Sequence, residues 1–197
     1  MTRNPPGDGV WLVEKAIEMA VQAHANQKRK GTDQPYIVHP LSVGMLLMKH
    51  GYPEHLVIAG LLHDTLEDTD LTEEEIRRVF GDPVAELVRG CSEPDKSLPW
   101  EERKKHTLSY LQTAPYEVCI VTCADKLQNV RAMAADYAKE GADLWRRFNA
   151  PKEKQYWYYT ELAKVLGARL KKETIAELLR QEVVRLFKDL ECDGVSP

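Results

Sequence analysis

The chain has 197 residues, which suits one domain able to bury roughly 70% of its unfolded surface. Hydrophobic residues make up 43% of it, yet no window holds the ~18 uninterrupted apolar residues of a membrane span, so composition argues against an integral helical membrane protein. A formal net charge of −4 argues against a general nucleic-acid binder, and leaves only local cations to hold an anionic ligand.

The polar start MTRNPPGDG lacks the apolar stretch of a secretory signal, so the cytoplasm is the expected location. Residues 10–27, VWLVEKAIEMAVQAHANQ, place apolar side chains at helical spacing. KRKGTDQP is a loop, rich in Gly, Asp and Pro. A helix restarts near His39-Pro40, since proline fits a first turn, and runs to Gly51. PEHLVIAGLLHDTLEDT reads as the next single helix. TEEEIRRVFG follows, with Thr72 and Glu75 forming a capping-box signature and Gly81 a stop.

PVAELVRGCS is a short helix and SEPDKSLP a loop. WEERKKHTLSYLQTA is helical. YEVCIVTCADKLQNVRAMAADYA opens on a strand-like run from 118 to 121, but its later pattern favours one long helix. EGADLWRRFNAP connects it to two closing helices, KEKQYWYYTELAKVLGARL and ETIAELLRQEVVRLFKDLEC. The four cysteines, Cys91, Cys119, Cys123 and Cys192, form no CxxC pair; Cys119 and Cys123, one turn apart in an apolar run, are expected to be core thiols. The expected fold is all-α, one domain from 9 to 191 with short ends 1–8 and 192–197, and about eight to ten helices.

GLLHDTLEDTD, residues 60–70, breaks an apolar run with His63, Asp64, Glu67 and Asp68. Burying such groups without partners costs several kcal/mol each, so they need partners or a function. One imidazole and one carboxylate suit a divalent metal but rarely hold it alone, and His39 and Asp125 are the candidates to complete a two-imidazole, two-carboxylate site. A metal ion lowers the pKa of its water from about 16 to about 7, and Glu67 and Asp68, one turn on, are placed to orient that water or accept its proton. Each element has a plainer reading: a lone HD dipeptide is common, and Glu67-Asp68 read by itself is as well explained as a solvated helix end.

The joint order His39, His63-Asp64, Asp125 resembles the HD superfamily of metal-dependent phosphohydrolases. RKGTDQPYIVHPLSV, AGLLHDTLEDTDLTEEEIRRVFGDPVAELVRGCS, DKSLPWEERK, CADKLQNVRAM and QYWYYTELAKVLG are similar to the hydrolase domain of RelA/SpoT proteins, and most of all to the stand-alone, animal-type SpoT homologues, from about residue 9 to about 168. The resemblance implies a helical HD-type bundle. It implies His39, His63, Asp64 and Asp125 as ligands, usually of manganese (Mn2+), and Glu67 and Asp68 as the catalytic acidic pair. Arg29 and Lys30 match cations flanking a guanine base, Asn129 matches a substrate contact, and Lys126 and Arg131 match basic positions near the ligand. No synthetase or regulatory domain is expected beyond Pro197. Two departures stand out. The loop between Lys30 and Tyr36 is one residue longer than in the bifunctional enzymes, and Cys123 replaces a more usual aliphatic residue, with an expected effect on packing only.

The implied activity is removal of the 3′ diphosphate from guanosine tetra- or pentaphosphate, with a small-molecule nucleotide as the partner and neither nucleic acid nor membrane. Alternatives are an HD phosphohydrolase acting on NADPH or on an adenosine alarmone, and a non-catalytic nucleotide sensor, against which the intact ligand set and Glu67-Asp68 weigh. The basic ERKK cluster, residues 102–105, reads better as a solvated helix face than as a phosphate guard, and Trp157, Tyr158 and Tyr159 better as core than as a base platform.

Overall fold

A computed structural model describes residues 10–92 and 97–192, with side chains from 11 to 188. Its contacts divide the chain into two compact units, 1–92 and 93–197. Among the described residues every regular element is helical: ten α-helices and one 3-10 helix, with a single isolated bridge between Lys28 and Pro35. None of these helices is long and apolar enough to cross a membrane.

The first unit contains α1 (Val10–Ala23), α2 (Val38–Lys49), α3 (Glu54–Leu62), α4 (Thr65–Asp68), α5 (Glu73–Phe80) and α6 (Asp82–Cys91). Every residue of α3 from Leu56 to Leu62 is buried, as expected of a helix apolar on all faces. It packs against α1, α2 and α6. Its approach to α2 is close: a Cβ on Gly44 would sit 2.7 Å from Leu61 Cδ2, and one on Gly60 would run into Leu47 Cδ1. Two glycines thus let the backbones that carry the first and second candidate ligands approach each other.

The expected single helix through HDTLEDT is broken. α3 stops at Leu62, His63 and Asp64 form a turn, and α4 is one turn long. Side chains compete there for main-chain carbonyls: the Thr65 hydroxyl donates to Leu62 O at 2.7 Å, and His63 Nδ1 bonds Gly60 O at 2.8 Å. Such local bonds offer the backbone an alternative to the helical ladder. Farther on, α5 starts as its sequence requires. Thr72 accepts from the Glu75 N–H, Glu75 accepts from the Thr72 N–H, and Gly81 ends the helix at φ 83°.

The second unit contains α7 (Trp100–Thr113), α8 (Tyr116–Glu140), a 3-10 helix (Gly141–Arg147) in the expected connector, α9 (Lys152–Arg169) and α10 (Thr174–Cys192), which kinks at Phe187. α8 is one helix throughout, with no strand at 118–121, and is buried from Val118 to Asp125. It packs against α9, α10 and the 3-10 helix. Tyr158 and Tyr159 are buried in the core as expected, while Trp157 is half-buried and stands edge-on against Trp100. Cys119 and Cys123 are buried free thiols whose ionisation burial pushes up. Part of the SEPDKSLP loop, residues 93–96, and the Cys192 side chain lie outside the described residues.

Candidate metal centre

His39 stands at the second position of α2. Its N–H donates to Tyr36 O at 2.9 Å, and Pro40 follows inside the first turn, where its missing N–H has no helical partner. The His39 ring is buried. His63, also buried, follows directly on α3. A carbonyl can only accept, so the 2.8 Å contact to Gly60 O places the proton on His63 Nδ1 and leaves Nε2 as the ring's lone-pair nitrogen. An imidazole fixed through one nitrogen to a carbonyl is the usual arrangement of a metal-ligating histidine. The two rings lie 5.1 Å apart, and their ligand nitrogens fall within 4.8 Å of each other.

Asp64 completes this cluster. Its Oδ2 is 3.1 Å from His63 Nε2 and 3.4 Å from His39 Nε2, and accepts the Tyr36 hydroxyl at 2.6 Å. Burial pushes the Asp64 carboxyl up, but in the protonated form of the two rings the charge of His63 and hydrogen bonds from His39 and His63 outweigh it and hold the group well below the usual carboxylate range, whereas in the neutral form the same ring nitrogens are free to face a cation. Two imidazoles and an ionised carboxylate aimed at one point form a donor set that fits a divalent cation.

Glu67 and Asp68 lie on α4, half-buried, with both N–H groups directed at Asp64 O at 3.3 and 2.9 Å. Arg29 and Lys30 sit on the loop after α1, Arg29 half-buried and Lys30 exposed. The loop closes on itself: Arg29 N–H donates to Gln34 O at 2.9 Å, and Thr32 N–H to Arg29 O at 3.0 Å. Gly31, at φ 73°, takes the left-handed conformation that this turn requires.

In the second unit, Asp125 is buried on α8. Its Oδ1 accepts from Asn129 Nδ2 at 2.6 Å, and its Oδ2 pairs with Lys126 Nζ at 2.7 Å. Burial pushes the Lys126 ammonium down, but the Asp125 charge, with Tyr158 and Tyr159, outweighs this and holds it well above the usual range. Arg131 is tied elsewhere, its Nε donating to Glu182 Oε1 on α10 at 3.3 Å. In the ERKK cluster, Lys105 pairs with Glu101 at 2.8 Å and Lys104 lies over the Tyr158 ring.

Sequence reasoning missed Tyr36, whose hydroxyl reaches Asp64, and Gln27, whose amide reaches the end of α4. A local sign existed for Tyr36: it stands one turn before His39. Gln27 has no such sign, because its partner lies 41 residues away.

An HD-domain family profile matches residues 16–153. Over 120 residues the chain is 39% identical to guanosine-3′,5′-bis(diphosphate) 3′-pyrophosphohydrolase MESH1 of Danio rerio, covering 59% of this chain and 66% of that protein. Over 123 residues it is 38% identical to the Xenopus tropicalis protein of the same name, covering 61% and 68%. An Aquifex aeolicus protein named guanosine-3′,5′-bis(diphosphate) 3′-pyrophosphohydrolase is 42% identical over 123 residues, but the match spans only 18% of its length. Among solved structures, a metazoan orthologue of SpoT described as hydrolysing ppGpp superposes with a TM-score of 0.71 at 26% identity, covering 93% of this chain and 97% of the other.

Proposed function

Because the chain belongs to the HD-domain family, in its RelA/SpoT-type branch, we propose that it is a metal-dependent 3′-pyrophosphohydrolase of guanosine tetra- and pentaphosphate. Water adds to the phosphorus joined to the 3′ oxygen, that P–O bond breaks, and the products are pyrophosphate and GDP or GTP with a free 3′ hydroxyl. The observation that carries this reading is the convergence of His39, His63 and Asp64 Oδ2 on one point, with His63 locked through Gly60 O so that Nε2 serves as the ligand.

His39, His63 and Asp64 would hold the ion, with Asp125 as a further ligand and manganese as its identity. A divalent ion makes water acidic enough to attack near neutral pH and neutralises charge on the diphosphate oxygens. Glu67 and Asp68 take the proton from the attacking water and return one to the departing 3′ oxygen. Arg29 and Lys30 hold the guanine, since a guanidinium stacks on a purine face. Asn129 and Lys126 keep Asp125 in place and, with Arg131, form the substrate side of α8. The working domain is residues 9–191, which the family match supports by running through the boundary at 92. Its expected place is the cytoplasm, where its partner is a free nucleotide rather than nucleic acid.

The test is turnover by purified protein with manganese against guanosine alarmones, their adenosine analogues and NADPH, with products identified. Pyrophosphate and GDP from the guanosine tetraphosphate support the reading, whereas phosphate from NADPH, or no turnover at all, rejects it. Glu67→Gln and Asp68→Asn keep the metal and still bind nucleotide, while turnover falls by ~10²–10⁴, the range for losing a positioned acid–base group. If both variants lose metal in proportion to activity, the pair belongs to the ligand set.

A further inference from the structure

The last turn of α1 is followed by a half-buried side-chain relay that ends on the proposed catalytic pair. Gln27 Nε2 lies 2.5 Å from the main-chain oxygen of Asp68, and Gln27 Oε1 lies 2.8 Å from His24 Nδ1. The direction of both bonds follows from chemistry. The Asp68 carbonyl only accepts, so the amide nitrogen faces it. The amide oxygen then faces His24, so the histidine carries its proton on Nδ1. His24 is buried at 1% exposure, and its ring packs 5.0 Å from that of Tyr36. The Asp68 carbonyl therefore sets which way the Gln27 amide points, and the His24 Nδ1–H satisfies the amide oxygen on the other side.

The point being held is weak on its own. α4 spans four residues, Thr65–Asp68, and the chain becomes fully extended at Thr69, φ −139° and ψ 178°. A single turn is unstable in isolation, because nucleating a helix costs more than its first bond returns. Its last carbonyls also have no helical partner. A donor that reaches the Asp68 carbonyl from 41 residues away supplies one of them. The same Gln27 accepts the Tyr36 N–H at its own carbonyl, at 2.8 Å, which joins this node to the base of the Arg29–Lys30 loop.

We infer that Gln27, its amide oxygen held by His24, is a positioning residue that holds the Asp68 turn in its working geometry. The inference rests on the proposed role of Asp68, since without it the relay would position nothing that reacts. Displacing a reacting group by ~1 Å costs about 10²-fold in rate, so a small relaxation of α4 is a kinetic event before it is a stability event.

Three substitutions test it on the full chain loaded with manganese. Gln27→Met keeps the volume and removes both amide groups. Gln27→Glu keeps the acceptor for His24 and sets a carboxylate oxygen against the Asp68 carbonyl. His24→Phe keeps a ring against Tyr36 and removes the donor. The expected result is a kcat lowered by about 10- to 100-fold for Gln27→Met and by more for Gln27→Glu, with KM and manganese content unchanged. In an Asp68→Asn background, Gln27→Met should cost less than about threefold, because residues acting as a unit are not additive. If the two losses multiply, or if KM rises while kcat holds, Gln27 does not act through Asp68 and the inference falls. Amide hydrogen exchange over residues 64–69 decides the clamp independently of turnover. It should quicken about tenfold or more in both Gln27 variants, and exchange equal to the unsubstituted protein overturns the clamp. Failure of the unsubstituted protein to hydrolyse any nucleotide rejects the proposed function alone, with the exchange measurement still deciding the clamp.

Discussion

Asp64 shows how much one side chain can be asked to do. Its Oδ2 faces two histidine nitrogens and also accepts the Tyr36 hydroxyl at 2.6 Å. A hydroxyl bonded to a ligating carboxylate fixes which oxygen is turned to the ion, and removal of such outer partners typically weakens metal binding by ~10–100-fold. Tyr36→Phe should therefore lower manganese affinity by about that factor while leaving the ring contacts with His24 and His39 intact. Competition with a chelating dye measures it. Affinity equal to that of the unsubstituted protein would mean that the hydroxyl is released when the ion binds. His63→Ala is the harsher probe: it removes a ligand nitrogen and should abolish binding in the same assay.

At the scale of elements, the α2–α3 pair is the part on which the three proposed ligands His39, His63 and Asp64 depend. Gly44 and Gly60 lie where the two helices meet. Gly60→Ala would gain the roughly 1 kcal/mol by which alanine exceeds glycine in a helix. It would also push a methyl group into Leu47, which is fully buried. Overpacking of this kind costs ~1–3 kcal/mol, so the net effect should be a destabilisation of up to about 2 kcal/mol. Gly167 on α9 is the control, with no atom within 4 Å of an added Cβ, and alanine there should stabilise by up to ~1 kcal/mol. Urea unfolding of the two variants compares them directly. Equal shifts would show that the glycines of α2 and α3 serve no close approach. Gly60→Ala should also weaken metal binding, because His39 and His63 sit on opposite sides of the wedge it drives between the helices.

For the molecule as a whole, metal and stability are linked. An ion that binds the native state alone stabilises it by ~2.7 kcal/mol at a hundred times its Kd. For a chain of this size each kcal/mol moves the Tm by ~2–4 °C, so chelation should lower the Tm by about 5–10 °C and manganese should restore it. A Tm indifferent to chelator in scanning calorimetry would mean that the His39, His63 and Asp64 cluster holds no ion in solution. What the sequence alone determined is local. Helical periodicity, the Thr72–Glu75 capping box and the stop at Gly81 are legible because each depends on residues within one or two turns. The ligand candidates His39, His63 and Asp64 were legible as ionisable groups set into apolar helices. The rest was decided by tertiary structure. The turn at His63 and Asp64 forms because a threonine hydroxyl and a histidine ring take carbonyls that the helical ladder would use. Tyr36 meets Asp64 across 28 residues, and Gln27 meets Asp68 across 41. Periodicity carries no information about such pairs, because they exist only after the apolar faces of α1, α2 and α3 have packed and fixed the distances between them.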